Sequence, residues 1–243
     1  MVDWDLGEYS LKLCTDERVF FPTLTSKLVA GCLTIQPGDD VLDIGCGVGQ
    51  LGITAAKKGA RLVLCLDIMT EACRLAKRNA LLNGVAERVH VVNSDLFGAL
   101  RGKQFDVIID DVSGIADEVA RISTWFPHPI PTGGEDGAGP VVRMLGEVTR
   151  FLKPGGKLYL PMSSLSCLGR IIGKAKEVFD GGLELVMERL IPFSPELYQH
   201  IDLLERLRQR GWIDYVAKKS RYLWNLQVFV GTRGTASALH PSA

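Results

Sequence analysis

Asp43 stands two residues ahead of Gly45 in the run Val41-Leu-Asp-Ile-Gly-Cys-Gly-Val-Gly-Gln50, where an apolar strand leads into a glycine-rich turn and then a helix. Gly45, Gly47 and Gly49 keep that turn free of side chains, so a ligand can approach the backbone and positive φ is open. Through Gly47, Gly49 and Gly52 the stretch also satisfies the G-x-G-x-x-G pattern of dinucleotide sites, which a nicotinamide or flavin enzyme would use. Charge separates the two readings. A carboxylate at this strand tip repels a pyrophosphate but attracts a sulfonium and an ammonium, the two cations of S-adenosylmethionine. Asp67 follows Gly49 by 18 residues, where an acid can accept both ribose hydroxyls of either cofactor. Asp95, in Asn93-Ser-Asp-Leu-Phe97, can accept from an adenine amino group while Leu96 or Phe97 covers the ring. Asp110 and Asp111, followed by Val112 and Ser113, close the fourth strand, where acceptor meets cofactor in open α/β sheets. The two carboxylates can take a hydrogen bond from an amine, a hydroxyl or an amide N–H. Ser113 has no G-x-S-x-G turn and no neighbouring His–Asp arrangement, so nucleophilic catalysis is not its role.

The elements that must position these residues alternate in type. Val41–Ile44, Leu62–Leu66, Val89–Val92, Val107–Ile109 and Lys157–Leu160 are short apolar, β-branched runs that predict strands one to five. Between them, Leu51–Lys58 and Thr70–Asn83 carry helical patterns, the second with Ala72, Leu75, Ala76 and Ala80 on one face and Gly84 as its stop. Gly139–Phe151 predicts a further helix, ended by Lys-Pro-Gly-Gly. The segment Gly114–Gly139, with Pro127, Pro129 and Pro131, predicts an irregular loop too long for a mere connector, bordering a binding site. Beyond Pro161 the pattern predicts a helix over Leu165–Phe179, a strand over Leu183–Ile191, a helix over Pro195–Arg210 and a strand over Leu226–Val230. The fold expected is α/β, a Rossmann-like, seven-stranded, mostly parallel sheet with helices on both faces.

A chain of 243 residues, 47% hydrophobic, is expected to form one domain over 1–233, with a flexible tail over 234–243. Within it, 1–33 is expected to be an N-terminal lid or substrate segment, 34–162 the cofactor core and 163–233 the sheet edge with a second substrate segment. Twenty-eight basic residues balance 28 acidic ones, so no global field draws phosphate backbones or anionic membranes. The six cysteines never form CxxC pairs, the start MVDWDLGEYS lacks a basic-then-apolar leader, and no window of about 20 apolar residues occurs. A soluble, cytoplasmic protein that spans no membrane is the expectation. Arg189–Arg221 carries seven basic against four acidic residues, with Tyr198, Trp212, Tyr215 and Tyr222 interleaved. That mixture fits a nucleic-acid surface or, more simply, the solvated face of an amphipathic helix. His128 is read as an ordinary loop histidine, and Gly133-Gly-Glu-Asp-Gly137 as a loop closing near the site, since it lacks the ligand spacing of a calcium loop.

Taken together, Phe20-Phe-Pro-Thr-Leu-Thr25, VLDIGCGVGQLGI, LDIMTEACRLAKRNALLNGV, SDLF, FDVII, GGEDGAG and FLKPGG resemble the class I methyltransferases, in particular the release-factor glutamine N-methyltransferases and their small-domain relatives. The resemblance implies S-adenosylmethionine as cofactor and S-adenosylhomocysteine as product. It places Asp43, Gly45, Gly47 and Gly49 at the methionine portion, Asp67 with Ile68 at the ribose, Asp95 with Leu96 at the adenine, and Thr25 near the entrance. Where those relatives carry Asn-Pro-Pro-Tyr, this chain has Asp111-Val-Ser-Gly114. The Val112 carbonyl is retained as an acceptor, a carboxylate replaces the amide, and the stacking ring is gone. The adjacent carboxylates also resemble metal-dependent catechol-type O-methyltransferases, but Leu160-Pro-Met162 stands where a further acidic ligand belongs, and no metal is assigned. The expected activity is N-methylation of a small molecule or a protein side chain. The alternatives are an RNA or DNA base N-methyltransferase, a metal-dependent small-molecule O-methyltransferase, and an idle cofactor-binding module.

Overall fold

The computed structural model describes residues 1–126 and 130–235; His128 and the tail beyond Thr235 lie outside the described residues. In chain order the elements are β1 (Val2–Asp5), β2 (Ser10–Leu13), α1 (Leu24–Cys32), β3 (Asp40–Ile44), α2 (Gln50–Lys57), β4 (Leu62–Asp67), α3 (Thr70–Leu82), β5 (Val89–Asn93), β6 (Phe105–Asp110), α4 (Asp117–Ile122), α5 (Gly139–Phe151), β7 (Leu152–Ser163), α6 (Leu168–Phe179), β8 (Leu183–Pro192), α7 (Pro195–Gln199), α8 (Ile201–Gln209), β9 (Val216–Lys218) and β10 (Arg221–Thr232). Seven strands run in the order β5-β4-β3-β6-β7-β10-β8, with β9 added against β10. β5, β4, β3, β6 and β7 are mutually parallel, and β10 lies antiparallel to both β7 and β8. The sheet is therefore mostly parallel, as the alternating pattern requires. Every residue of β3 is buried, which explains why its sequence is a continuous run and not an alternating one.

Helices cover both faces. On one, α2 and α3 press Leu51, Ile53, Ala72, Leu75 and Ala76 against Val41, Val63 and Ile109, and α1 adds Val29. On the other, α5 and α6 set Met144, Leu145, Val148 and Ile171 on Leu42, Ile44, Ile108 and Leu158. A third cluster joins Phe193, Leu197, Leu204, Leu207 and Tyr215 to Val119 and Leu165, seating α7 and α8 beside α4. No helix among the described residues is long and apolar enough to cross a membrane.

Four features depart from the expectations. The segment over 114–139 is not wholly irregular, because Asp117–Ile122 closes a short helix whose Val119 and Ala120 are buried. The helix expected over Pro195–Arg210 is interrupted at His200, whose φ of −115° and ψ of 29° leave the helical region. β7 starts at Leu152 and not at Lys157: Phe105 pairs with Leu152 and Val107 with Lys157, so Lys153-Pro-Gly-Gly156 bulges out of register and still returns to the ladder. β1 and β2 form a separate hairpin that the sequence did not announce.

Candidate active site

The turn after β3 is built by backbone bonds that only its glycines permit. Gly45 and Cys46 donate to the Leu66 carbonyl at 2.8 and 3.0 Å, and Gly49 donates to Cys46. Gly45, Gly47 and Gly49 have φ of 73°, 53° and 88°. Their reasons differ. A Cβ on Gly45 would lie 2.9 Å from the Asp111 carbonyl, so this glycine lets the β3 and β6 tips touch. A Cβ on Gly49 would meet Ala76 at 3.1 Å, so it serves helix packing. A Cβ on Gly47 would find only Gln50 Oε1, at 3.9 Å; Gly47 therefore leaves open space beside the turn. Asp67 accepts from the N–H groups of Gly47 and Met69, both at 2.8 Å, and so braces that turn. Burial holds its carboxyl above the usual range.

A cavity of about 530 Å³ opens here. Thr25, Gly45, Gly47, Asp67, Ile68, Asp95 and Leu96 from the cofactor set line it, as do Asp111, Val112 and Ser113 from the acceptor set. Asp43, Gly49 and Asp110 do not. Asp43 is fully buried behind the turn, where Oδ2 accepts the Gly52 N–H at 2.8 Å. The expectation that its carboxylate meets the ligand directly gives way to one of support beneath the wall. Gly52 is required by this bond, since a Cβ there would sit 3.0 Å from Asp43 Oδ2 and 2.5 Å from Cys65 Sγ. Burial raises Asp43 to about 7, with Asp67 adding repulsion. Asp110 is likewise buried and raised to about 7 by burial, its Oδ1 accepting weakly from Val112 at 3.4 Å.

Asp111 is the carboxylate that reaches the cavity. Gln50 Nε2 donates to its Oδ2 at 3.1 Å and lies 3.4 Å from Ser26 Oγ, linking α1, α2 and the β6 tip. Burial, then Asp43, Asp110 and Asp67, push the Asp111 carboxyl well above its ordinary value. Sequence reasoning missed Gln50, which is the first residue of α2 and 5% exposed, with Oε1 lacking a protein partner. It also missed Arg143, which binds Asp95 at 2.7 Å. Leu96 adopts a φ of 45°, a conformation that costs a non-glycine residue about 1 kcal/mol, and Ser94 Oγ holds it by donating to the Leu96 carbonyl. Phe20, Phe21, Trp125, Ile191 and Trp224 supply the apolar wall opposite.

No residue of the loop 133–137 is among those that line the cavity; the stretch just before it is. Ile130, Pro131 and Thr132 line the cavity, and Asp136 pairs with Arg170 on α6. No group of three or more His, Cys, Asp or Glu among the described residues is placed to hold a metal. In the basic C-terminal segment, Tyr215 is 4% exposed and packs with Phe193 and Tyr222, and Tyr198 packs in turn with Tyr222. Phe193 and Tyr215 belong to the third core cluster, and Tyr198, Trp212 and Tyr222 pack against it partly buried.

The methyltransferase small domain matches residues 11–111. A Methanocaldococcus jannaschii protein named, provisionally, a protein N5-glutamine methyltransferase is 35% identical over 167 residues, covering 68% of this chain and 83% of that one. A release factor glutamine methyltransferase from Koribacter versatilis is 34% identical over 142 residues, 54% of this chain and 50% of its own length, so the chain spans half of that relative. Among solved structures, the M. jannaschii tRNA m1G37 methyltransferase superposes with a TM-score of 0.57 over 96% of this chain and 57% of that one, at 15% identity, a likeness of fold alone. With a glycine turn braced by Asp67, a sheet of this order and a relative matched over 83% of its length, the chain belongs to the methyltransferase small-domain family of class I S-adenosylmethionine-dependent methyltransferases.

Proposed function

We propose that the chain transfers the methyl group of S-adenosylmethionine to a nitrogen of a small molecule or a protein side chain, releasing S-adenosylhomocysteine. One observation carries the reading: most of the residues expected to hold the donor, and Asp111, Val112 and Ser113 expected to meet the acceptor, wall a single cavity. When bound, the donor supplies a methyl carbon on a positively charged sulfur, open to in-line displacement, so the protein's work is alignment and exclusion of water. The open space beside Gly47 suits the methionine portion, Asp67 the ribose, and Leu96 with Asp95 the adenine. Ile68 lies beside Asp67, and Thr25 stands at the entrance. Phe20 and Phe21 from the first 33 residues and Ile191 and Trp224 from residues 163–233 reach the cavity, which supports a substrate-facing role for both segments. The names of the relatives favour a protein side chain. Six free cysteines suit a reducing cytoplasm.

Calorimetry with S-adenosylhomocysteine tests the donor half: Asp67→Ala is expected to weaken binding by at least about tenfold, the loss of a charge-assisted pair of bonds. Tritiated S-adenosylmethionine incubated with cell extract then tests the acceptor half. Label in protease-sensitive or small-molecule fractions is expected. Label removed by nuclease, with binding that falls steeply in salt, moves the acceptor to nucleic acid. A protein that binds nicotinamide cofactor and ignores S-adenosylhomocysteine ends the reading.

A further inference from the structure

We infer that the acceptor is a basic amine, which enters as its ammonium ion and passes a proton to Asp111, and not a planar amide. The inference rests on the proposed function and concerns the same cavity.

Three observations carry it. First, the acceptor side of the wall is electron-rich. Gln50 spends its amide hydrogens on Asp111 Oδ2 and towards Ser26 Oγ, which leaves Oε1, buried and without a protein partner, as an acceptor between the carboxylate and the space beside Gly47. A nitrogen bearing two or three hydrogens finds acceptors there, whereas the oxygen of an amide finds no side-chain donor from this pair. Second, the charge is unbalanced. Asp43 from β3, Asp110 from β6 and Asp67 from β4 all disfavour a negative charge on Asp111. The one cationic side chain on the cavity wall among the described residues is Arg143, and it is bound to Asp95 at 2.7 Å. A cationic acceptor relieves this excess. Third, Phe20, Phe21, Trp125 and Trp224 line the remaining wall, and aromatic faces attract an ammonium while accommodating an apolar body. A carboxyl whose affinity for protons has been raised is also better matched to an amine as a base.

The step balances. The ammonium N–H bond breaks, its proton goes to an Asp111 carboxylate oxygen, and the freed lone pair forms an N–CH3 bond. The S–CH3 bond breaks as sulfur keeps its electron pair, leaving a neutral thioether and a methylated ammonium.

The identity of the acceptor need not be known to test this. Product labelled with tritiated S-adenosylmethionine in extract is hydrolysed in acid. Label that stays on a non-volatile species retained by a cation exchanger at neutral pH, and released at alkaline pH, supports an amine. Label that distils off as methylamine once the hydrolysate is made alkaline shows an amide, label released as methanol an ester, and either overturns the inference, as does label on a nucleobase. Asp111→Asn is expected to lower turnover by about a hundredfold, in the range for a lost base, while S-adenosylhomocysteine affinity stays within about twofold. The variant should also lose the limb of the pH profile that the wild type shows. Undiminished turnover in Asp111→Asn overturns the role of Asp111. Loss of S-adenosylhomocysteine binding in the wild type would instead sink the proposed function itself.

Discussion

At Gly45 and Gly47, two glycines with one residue between them, the same substitution is expected to have opposite consequences. Alanine at 45 must take a φ near 73° and also place a methyl 2.9 Å from backbone atoms of Asp111 and Val112 that cannot rotate away. The cost is about 1 kcal/mol for the backbone and a further 1–3 kcal/mol for the overlap. Alanine at 47 bears only the first of these, and its methyl enters the open space beside the turn. Gly45→Ala should therefore lower the melting temperature clearly, while Gly47→Ala should melt within a few degrees of the wild type and lose S-adenosylhomocysteine affinity by at least about tenfold. Differential scanning and calorimetry on both variants check this; equal melting temperatures would refute the contact argument. The sequence showed that both glycines matter, because the pattern is local. It did not show which served ligand and which served packing, because that depends on β6 and α3, which arrive from elsewhere in the chain. Asp43 illustrates the same limit. Its carboxylate and its place at the strand tip were legible; that it points beneath the turn to the Gly52 N–H was not.

Among the elements, what periodicity controls was readable and what one side chain controls was not. α5 spans Gly139–Phe151 as expected, and the parallel strands appear within a residue or two at most ends, because continuous apolar runs and an amphipathic stripe announce them. The β1–β2 hairpin is held instead by Asn79 of α3. Its Oδ1 accepts the Cys14 N–H at 2.7 Å, and its Nδ2 donates to the carbonyls of Cys14 and Val48 at 3.0 and 2.9 Å. No local pattern marks an asparagine on a helix as a clamp between an N-terminal strand and the glycine turn. Asn79 is fully buried, so Asn79→Ala leaves three backbone groups without partners and is expected to cost about 2–4 kcal/mol. Asn83 makes a similar pair of bonds to Lys12 in an exposed position, where water can replace it. Asn83→Ala should cost less than about 1 kcal/mol. Chemical denaturation ranks the two, and limited proteolysis should cut Asn79→Ala first within the initial 33 residues; equal losses would show that the clamp is redundant.

For the molecule as a whole, the acids divide into two groups that titrate in different windows. Asp16, Glu71, Asp106, Glu188 and Glu196 are held below their ordinary values, mainly by hydrogen bonds from neighbours that outweigh any burial, so the stability they contribute is lost only as pH falls below about 4. Asp43 and Asp110 are raised from 3.8 to about 7 by burial, and Asp67 and Asp111 are raised in the same direction. For these the folded state binds more protons than the unfolded one. Their protonation favours the fold fully below about pH 4, and that advantage is lost as pH rises through about 7. With zero formal net charge at pH 7, general repulsion changes little across the interval. Stability should therefore be greater at pH 5.5 than at pH 8, by on the order of 2–4 kcal/mol, or a melting temperature higher by roughly 5–10 °C. Asp110→Asn separates this cause from others, since Asp110 is buried away from the cavity wall and the amide keeps its shape. The variant should match the wild type at pH 5.5, exceed it at pH 8 and flatten the slope between them. A wild type that melts higher at pH 8, or an Asp110→Asn variant with an unchanged slope, would mean that these buried carboxyls are solvated or paired in a way their surroundings here do not provide.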